Sequence, residues 1–236
     1  MQGTKLILFC VKSTDTDSAA QAITPNLDCD TLVLSLQNGV ENAQRLRELL
    51  PQEVVVAAVV YVASEMAGPG HIKHHGRGEL VIEPSSTSEA VASALREAEV
   101  PTEISDNVRG ALWAKLVLNC AYNALSALSR MPYGKLVQGE GVTRAMRDVD
   151  VVDECLAVAR AERISIPTDV DAAVRKIAET MPNQYSSTAQ DMTRGKRSEI
   201  DHLNGLIVRR GEVLGVATPA NRMLHVLVKL VESRTE

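Results

Sequence analysis

The chain has 236 residues, 45 % apolar but only 3 % aromatic, so aliphatic side chains and alanine must fill its core. Its 25 basic and 30 acidic residues leave a formal charge of −5, and the absence of a dense basic stripe excludes nucleic acid as the main partner. A small anionic ligand, which needs only a few placed donors, is not excluded.

Cys10, Cys29, Cys120 and Cys155 form no C-x-x-C pair, and three of them lie in apolar runs, which reads as reduced thiols rather than a disulfide or metal framework. The apolar run Leu6 to Val11 is too short for a signal peptide and stops at Lys12. The run "VVVAAVVYVA" at 54–63 is too short to span a bilayer as a helix. These features predict a soluble, cytoplasmic chain with no membrane partner.

The first hundred residues alternate strand-like and helix-like segments. "KLILFCV" at 5–11 is a β-rich run, followed by a helical stretch at 15–23 that ends near Pro25. "TLVLSL" at 31–36 stops at "QNG", a helix covers 40–49, and "EVVVAAVVYV" at 53–62 is a third strand. Short apolar strands alternating with helices predict parallel pairing under helical cover. "GPGHIKHHGRGELVIEP" at 68–84 is punctuated by glycine and alternates, which predicts an antiparallel segment. A helix at 87–98 and a strand at 100–105 close this half. From residue 107 the pattern is helical: 107–130, 141–162, 167–180, 185–194, 198–214 and 219–234, with "MPYG" and "GEG" as connections. The expected architecture is therefore α/β at 1–106 followed by all-α at 107–236.

The segment "WAKLVLNCAYNALSALSR" at 113–130 carries Lys115, Asn119 and Asn123 in an otherwise apolar helix. At 100° per residue these fall at about 0°, 40° and 80°, with Ser126 at about 20°, so one narrow polar stripe faces something polar. A solvent face would favour Glu, Lys and Gln, since Asn is a weak helix former. Two amides at one spacing suit a bound molecule, and a desolvated lysine beside them would have a lowered pKa and could donate a proton. Both readings stand on this evidence.

In "YSSTAQDMTRGKRSEIDHLNG" at 185–205, Ser198 and Asp201 have the form of a capping box, placing Glu199 in a first helical turn. Alignment with the helix dipole is sufficient to explain that glutamate. "LQNGV" at 36–40, like Lys12 and Ser13, follows a parallel strand, where ligands bind in open α/β sheets. A plain turn explains "NG" equally well. His71, His74 and His75 share no ligand-like spacing with a carboxylate or cysteine, so no metal site is expected. Arg194, Lys196 and Arg197 read as a solvated loop face that could also attract an anion.

Taken together, the chain resembles the ketopantoate reductase (2-dehydropantoate 2-reductase) family. The likeness rests, in order, on a strand ending in "VK", "QNG", the "GPG" hairpin, "WxKLxxNxxxN", "SSxxQDxxxGxxSEIDxLNG" and "GVATPAN". It covers nearly the whole chain. The resemblance implies a partial Rossmann-like dinucleotide-binding domain and a helical substrate-binding domain of the 6-phosphogluconate dehydrogenase-like type. It implies an NADPH-dependent reductase of a 2-oxo acid, ketopantoate above all, in pantothenate biosynthesis. Lys115 would be the general acid that protonates the ketone oxygen, neutralising the alkoxide that develops there. Asn119 and Asn123 would bind the substrate, Ser187 its carboxylate, and Glu199 its hydroxyl end or the lysine. Lys12 and Asn38 would lie beside the cofactor, and the polar stripe would form one wall of a substrate cleft.

In one respect the sequence departs from the family. Its members open with a strand and a G-x-G-x-x-G turn that cradles the pyrophosphate, and no such turn occurs here. The expectation is that the first βαβ unit is missing and that the neighbouring strand forms an exposed edge. A competing reading follows: a truncated, non-catalytic relative acting as a dimerisation or binding module, or half of a split enzyme. The long helices of the second half offer faces for a homodimer.

Overall fold

The computed structural model describes residues 3–28, 30–147 and 151–234. Cys29 and the middle of the helix expected at 141–162 lie outside the described residues. The chain divides into two compact units, Met1–Leu112 and Trp113–Glu236.

The first unit is a five-stranded sheet in the order β1 (Leu6–Phe9), β2 (Leu32–Ser35), β3 (Val55–Gly68), β4 (His71–Ile82), β5 (Thr102–Ile104). Helices α1 (Thr16–Ile23), α2 (Asn42–Leu49) and α3 (Ser88–Glu97) connect the strands. β1, β2 and β3 pair in parallel, as the alternation of strand and helix requires. The β3–β4 hairpin then reverses direction, and β5 joins β4 in parallel through α3.

That reversal decides which face each helix covers. Crossovers between parallel strands are right-handed, so α1 and α2 share one face, and α3, serving strands that run the other way, must take the opposite one. The two hydrophobic clusters follow this division. Ala20, Ala43 and Leu46 pack with Val33, Val55, Ala57 and Val59, whereas Ala92 packs with Leu32, Leu34, Val56 and Ala58. Successive residues of β2 and β3 thus enter opposite cores, the period-two rule of a strand buried on both faces. β1 is an edge strand among the described residues, and its Leu8 is 51 % exposed.

β3 runs to Gly68, well beyond the apolar run that ends at 62. The hairpin pairs through three register shifts, and Val62 and Met66 of β3 and Ile72 of β4 stand exposed on it. Its polar residues conceal the strand from a reading based on apolarity.

The second unit begins within the long helix α4 (Val108–Ser129), whose Val108, Ala111 and Leu112 still belong to the sheet's core. It continues with α5 (Tyr133–Leu136), α6 (Val142–Arg147), α7 (Val151–Ala161), α8 (Val170–Thr180), α9 (Ser187–Thr193), α10 (Asn204–Leu214) and α11 (Pro219–Glu232). α5 begins inside the expected connection "MPYG", its start pinned when Tyr133 N donates to Gln184 O at 2.9 Å and Gly134 N to Pro182 O at 2.9 Å. Gly134 is required there, since a Cβ would lie 2.7 Å from the Pro182 Cβ.

A buried polar chain joins four helices of this unit. Asn204 donates to Cys120 O at 3.2 Å and to Asn221 Oδ1 at 2.9 Å, and Asn221 donates to Glu154 Oε2 at 2.7 Å. Glu154 also accepts from the backbone N–H groups of Ala220 at 2.8 Å and Asn221 at 2.9 Å. It therefore caps the first turn of α11 from α7, a role that Thr218, at the N-cap position, does not fill with its own side chain. Pro219 at the first helical position gives up no hydrogen bond by lacking an N–H.

Candidate functional site

Within the sheet unit, the carboxyl ends of β1 and β2 are organised by short polar side chains. Asn42 donates from Nδ2 to Ser13 Oγ at 3.0 Å and to Asn38 O at 2.5 Å, and Ser13 Oγ donates to the same carbonyl at 3.2 Å. Gln37 donates to Val11 O at 3.1 Å and to Thr16 Oγ1 at 2.8 Å, tying the segment after β2 to the segment after β1. Gly39, at φ 95°, makes the turn that presents Asn38. Lys12 and Asn38 are both half-buried at these strand ends, and the Asn38 side-chain amide makes no hydrogen bond to the described residues. The buried Gln37 Oε1 also has no hydrogen-bond partner among the described residues.

These residues fit one part of a dinucleotide site: a cation and open amides at the carboxyl ends of parallel strands. A pyrophosphate cradle of the G-x-G-x-x-G kind is not among the 236 residues.

Within the helical unit, α4 carries the polar stripe as expected. Lys115 and Asn119 are half-buried, whereas Asn123 and Ser126 are buried at 2 % and 0 % exposure. The stripe is therefore not a solvent face. Asn123 Nδ2 donates to Ser187 Oγ at 3.3 Å, bringing together two residues separated by 64 positions. The Asn119 side chain makes no hydrogen bond to the described residues.

Ser187 is placed by its neighbour. Ser186 Oγ accepts from Ala189 N at 3.0 Å, capping α9, and donates to Asn123 O at 3.1 Å. Ser186 N donates to Ser126 Oγ at 3.3 Å, and that hydroxyl donates to Met131 O at 2.8 Å. The start of α9 is thereby sewn onto α4, leaving Ser187 exposed at its first turn. The signal for Ser126 was in the stripe itself. Ser186 could not be separated from Ser187 by spacing alone.

The turn bearing Glu199 departs from the expected capping box. Ser198 Oγ accepts from Ile200 N at 3.2 Å, so it closes a tight local turn rather than capping a long helix. Ile200–His202 form a 3-10 turn that Glu199 precedes, and α10 starts only at Asn204. The Asp201 carboxylate is taken instead by His225 Nε2 at 2.7 Å and Lys229 Nζ at 2.9 Å. Burial pushes the Asp201 carboxyl up, but the hydrogen bonds from His225 and Lys229 outweigh it and hold the group below its ordinary value. Glu199 itself is half-buried.

Among the described residues no group of three or more His, Cys, Asp or Glu could hold a metal ion. His71 and His74 are exposed on the hairpin, and the His75 side chain lies outside the description. No described helix is long and apolar enough to cross a membrane.

Comparison with known proteins bears on both units. The family model "Ketopantoate reductase PanE/ApbA" matches residues 1–87, and "Ketopantoate reductase PanE/ApbA C terminal" matches residues 107–232. The 2-dehydropantoate 2-reductase of Halobacterium salinarum is 33 % identical over 233 residues, covering 96 % of this chain and 76 % of its own. The chain belongs to the ketopantoate reductase family.

Ketopantoate reductases are oxidoreductases, and the solved members share this two-part fold. The PanE/ApbA family ketopantoate reductase from Ralstonia eutropha JMP134 superposes with a TM-score of 0.94 at 67 % identity, covering 99 % of this chain and 78 % of that one. D-mandelate dehydrogenase in a ternary complex with NADH and anilino(oxo)acetate superposes at 0.91 with 26 % identity, covering 98 % of this chain and 77 % of that one. A further structure of D-mandelate dehydrogenase is a complex with NADH.

Proposed function

We propose that this ketopantoate reductase family chain reduces 2-dehydropantoate with NADPH, Lys115 serving as proton donor. The observation that carries the reading is the stripe on α4: a half-buried lysine, one turn from a half-buried amide with no hydrogen bond to the described residues, one turn from an amide locked to Ser187. The burial of Asn123 and Ser126 supports this reading over a plain solvent face.

Bound NADPH supplies the hydride. The chain's own residues do the rest. The Lys115 ammonium hydrogen-bonds the ketone oxygen and transfers a proton to it as negative charge develops. Asn119 and Asn123 orient the substrate through their amides, the Ser187 hydroxyl donates to its carboxylate, and Glu199 holds its hydroxyl end or the lysine. Lys12 and Asn38, at the carboxyl ends of β1 and β2, would hold the cofactor.

The likeness to D-mandelate dehydrogenase favours a second reading, in which another 2-oxo acid, with an aryl group, is the substrate. The test is loss of NADPH absorbance with purified chain and either ketopantoate or benzoylformate, alongside Lys115→Ala. Turnover with ketopantoate that falls by about 10²–10⁴ in the variant is the expected result for a general acid. Preference for benzoylformate selects the second reading. A folded chain inactive with both overturns the reductase assignment, and a fully active Lys115→Ala overturns the role of the lysine.

A further inference from the structure

Glu232 stands where a glutamate is disfavoured twice. It lies in the last turn of α11, where the helix dipole opposes a negative charge, and it is 9 % exposed, so its carboxylate has lost most of its water. The compensation comes from another segment. Oε1 accepts from the backbone N–H of Ser198 at 2.8 Å, a contact across 34 positions, and Oε2 lies 3.5 Å from Lys229 Nζ. Ser198 is itself buried. A hydrogen bond from a buried N–H to a carboxylate is among the stronger ones in a protein, and it fixes the backbone that donates it.

Ser198 is the residue before Glu199, and the residues after Glu199 are fixed as well. Ile200 is fully buried in a cluster with Ala124 of α4 and Val228 of α11, and Ile200 N returns to Ser198 Oγ at 3.2 Å. The Asp201 carboxylate is held by His225 and Lys229 of α11. The His225 ring comes close because residue 205 is glycine: a Cβ there would lie 2.9 Å from His225 Nε2. Positions 225, 228, 229 and 232 share one face of α11, and that face addresses the segment 198–201. Glu199 therefore sits between neighbours that α11 anchors on both sides.

We propose that Glu232 is a positioning residue: by accepting from Ser198 N it sets where the Glu199 carboxylate meets the oxo acid or Lys115. It acts through Glu199, and so rests on the role proposed above for that residue.

The test is a cycle of Glu232→Ala, Glu199→Gln and the double variant, assayed with NADPH and whichever of ketopantoate and benzoylformate the wild-type chain reduces. Glu232→Ala is expected to lower kcat/KM for the oxo acid about ten- to hundredfold, as a misplaced group does, while the KM for NADPH stays at the wild-type value. In the Glu199→Gln background the same substitution should change kcat/KM by less than about twofold, because the group it displaces is already gone. Glu232→Gln keeps an acceptor oxygen for Ser198 N and should come within about threefold of wild type. Should Glu232→Ala not fold, Glu232→Asp, with a shorter side chain, takes its place in the cycle.

Equal losses in the two backgrounds would mean general damage to the helical unit and overturn the proposal. A Glu232→Gln enzyme as poor as Glu232→Ala overturns it too, since the charge and not the bond would then matter. Hydrogen exchange of the amides of residues 198–201 needs no turnover. Faster exchange there in Glu232→Ala, with α10 unchanged, is expected, and unchanged exchange overturns the anchor however the kinetics fall. A wild-type chain that reduces neither oxo acid, or a Glu199→Gln enzyme with wild-type kinetics, removes the role of Glu199 and the proposal with it. The exchange result then tells that failure apart from failure of the anchor.

Discussion

The side-chain amide of Asn123, 2 % exposed in the middle of α4, donates to the hydroxyl of Ser187 on the first turn of α9 at 3.3 Å. A buried donor aimed at an exposed hydroxyl fixes that hydroxyl's position while leaving its proton free to point outward. Both residues should therefore matter to stability as well as to binding. Ser187→Ala leaves the 2 % exposed Asn123 amide without its acceptor and should cost about 1–3 kcal/mol. Its KM for the oxo acid should rise about tenfold, the equivalent of one hydrogen bond to a charged carboxylate. Asn123→Ala should raise KM similarly and also cost about 1–3 kcal/mol, because a buried polar contact is lost. Urea melts and steady-state kinetics on both variants check this. A Ser187→Ala enzyme with unchanged KM would remove Ser187 from the substrate site.

The Asp201 carboxylate predicts a pH dependence. Its pKa is lowered in the folded chain, so it contributes stability that is present above its unfolded value, about 4, and is lost as pH falls through the folded value. The stability gap between wild type and Asp201→Asn should accordingly be full at pH 6 and shrink as pH drops below about 4. Urea denaturation across that range measures it. A gap constant down to pH 3 would mean that His225 and Lys229 do not favour the charged form.

The layered α/β half was legible because β2 and the first part of β3 are continuously apolar and separated by a helical period. The same logic failed beyond residue 62, where β3 continues with polar residues on a hairpin paired by local hydrogen bonds. The stripe Lys115, Asn119, Asn123, Ser126 was legible as a line, since helical geometry fixes angles from sequence alone. Spacing could not tell whether that line met water or protein, which the burial of Asn123 and Ser126 decides. "LNG" and "TPAN" carried the family resemblance, yet Asn204 and Asn221 turn out to hold Glu154 and α11 in place. A signature marks residues that a family keeps, and only contacts separate structural from chemical reasons. The capping-box reading of Ser198 and Asp201 failed because a long-range partner, α11, outcompeted the local backbone for the aspartate.

In the sheet unit, Asn42 clamps the Asn38 carbonyl at 2.5 Å and holds Ser13 Oγ at 3.0 Å. Asn42→Ala should release the turn that presents Asn38 without touching any group assigned to the reaction. NADPH affinity is expected to weaken about tenfold, the equivalent of roughly one hydrogen bond, while kcat at saturating cofactor stays near wild type. Cofactor fluorescence titration reads the first quantity and steady-state kinetics the second. Unchanged affinity would detach Asn38 from the cofactor site.

Gly211 offers a test in which the usual sign reverses. Replacing a helical glycine by alanine ordinarily stabilises by about 1 kcal/mol, because the unfolded chain loses freedom. Here α10 ends in a left-handed Gly215 at φ 68°, and Val216 N returns to donate to Gly211 O at 2.8 Å. A Cβ on Gly211 would sit 2.7 Å from the Val216 carbonyl oxygen and 2.8 Å from Thr218 Cγ2. The first contact is backbone, which cannot swing away, so the turn must open. That turn delivers Pro219, Ala220 and Asn221 to the Glu154 carboxylate, and opening it strains the cap of α11 as well. Gly211→Ala should therefore lose about 1–3 kcal/mol, as over-packed sites do. Gly215→Ala meets no atom within 4 Å and should lose only the left-handed penalty, about 1–2 kcal/mol. Urea melts of the two variants decide the matter: a Gly211→Ala protein as stable as wild type would show that the α10–α11 turn yields, and that Glu154 follows it.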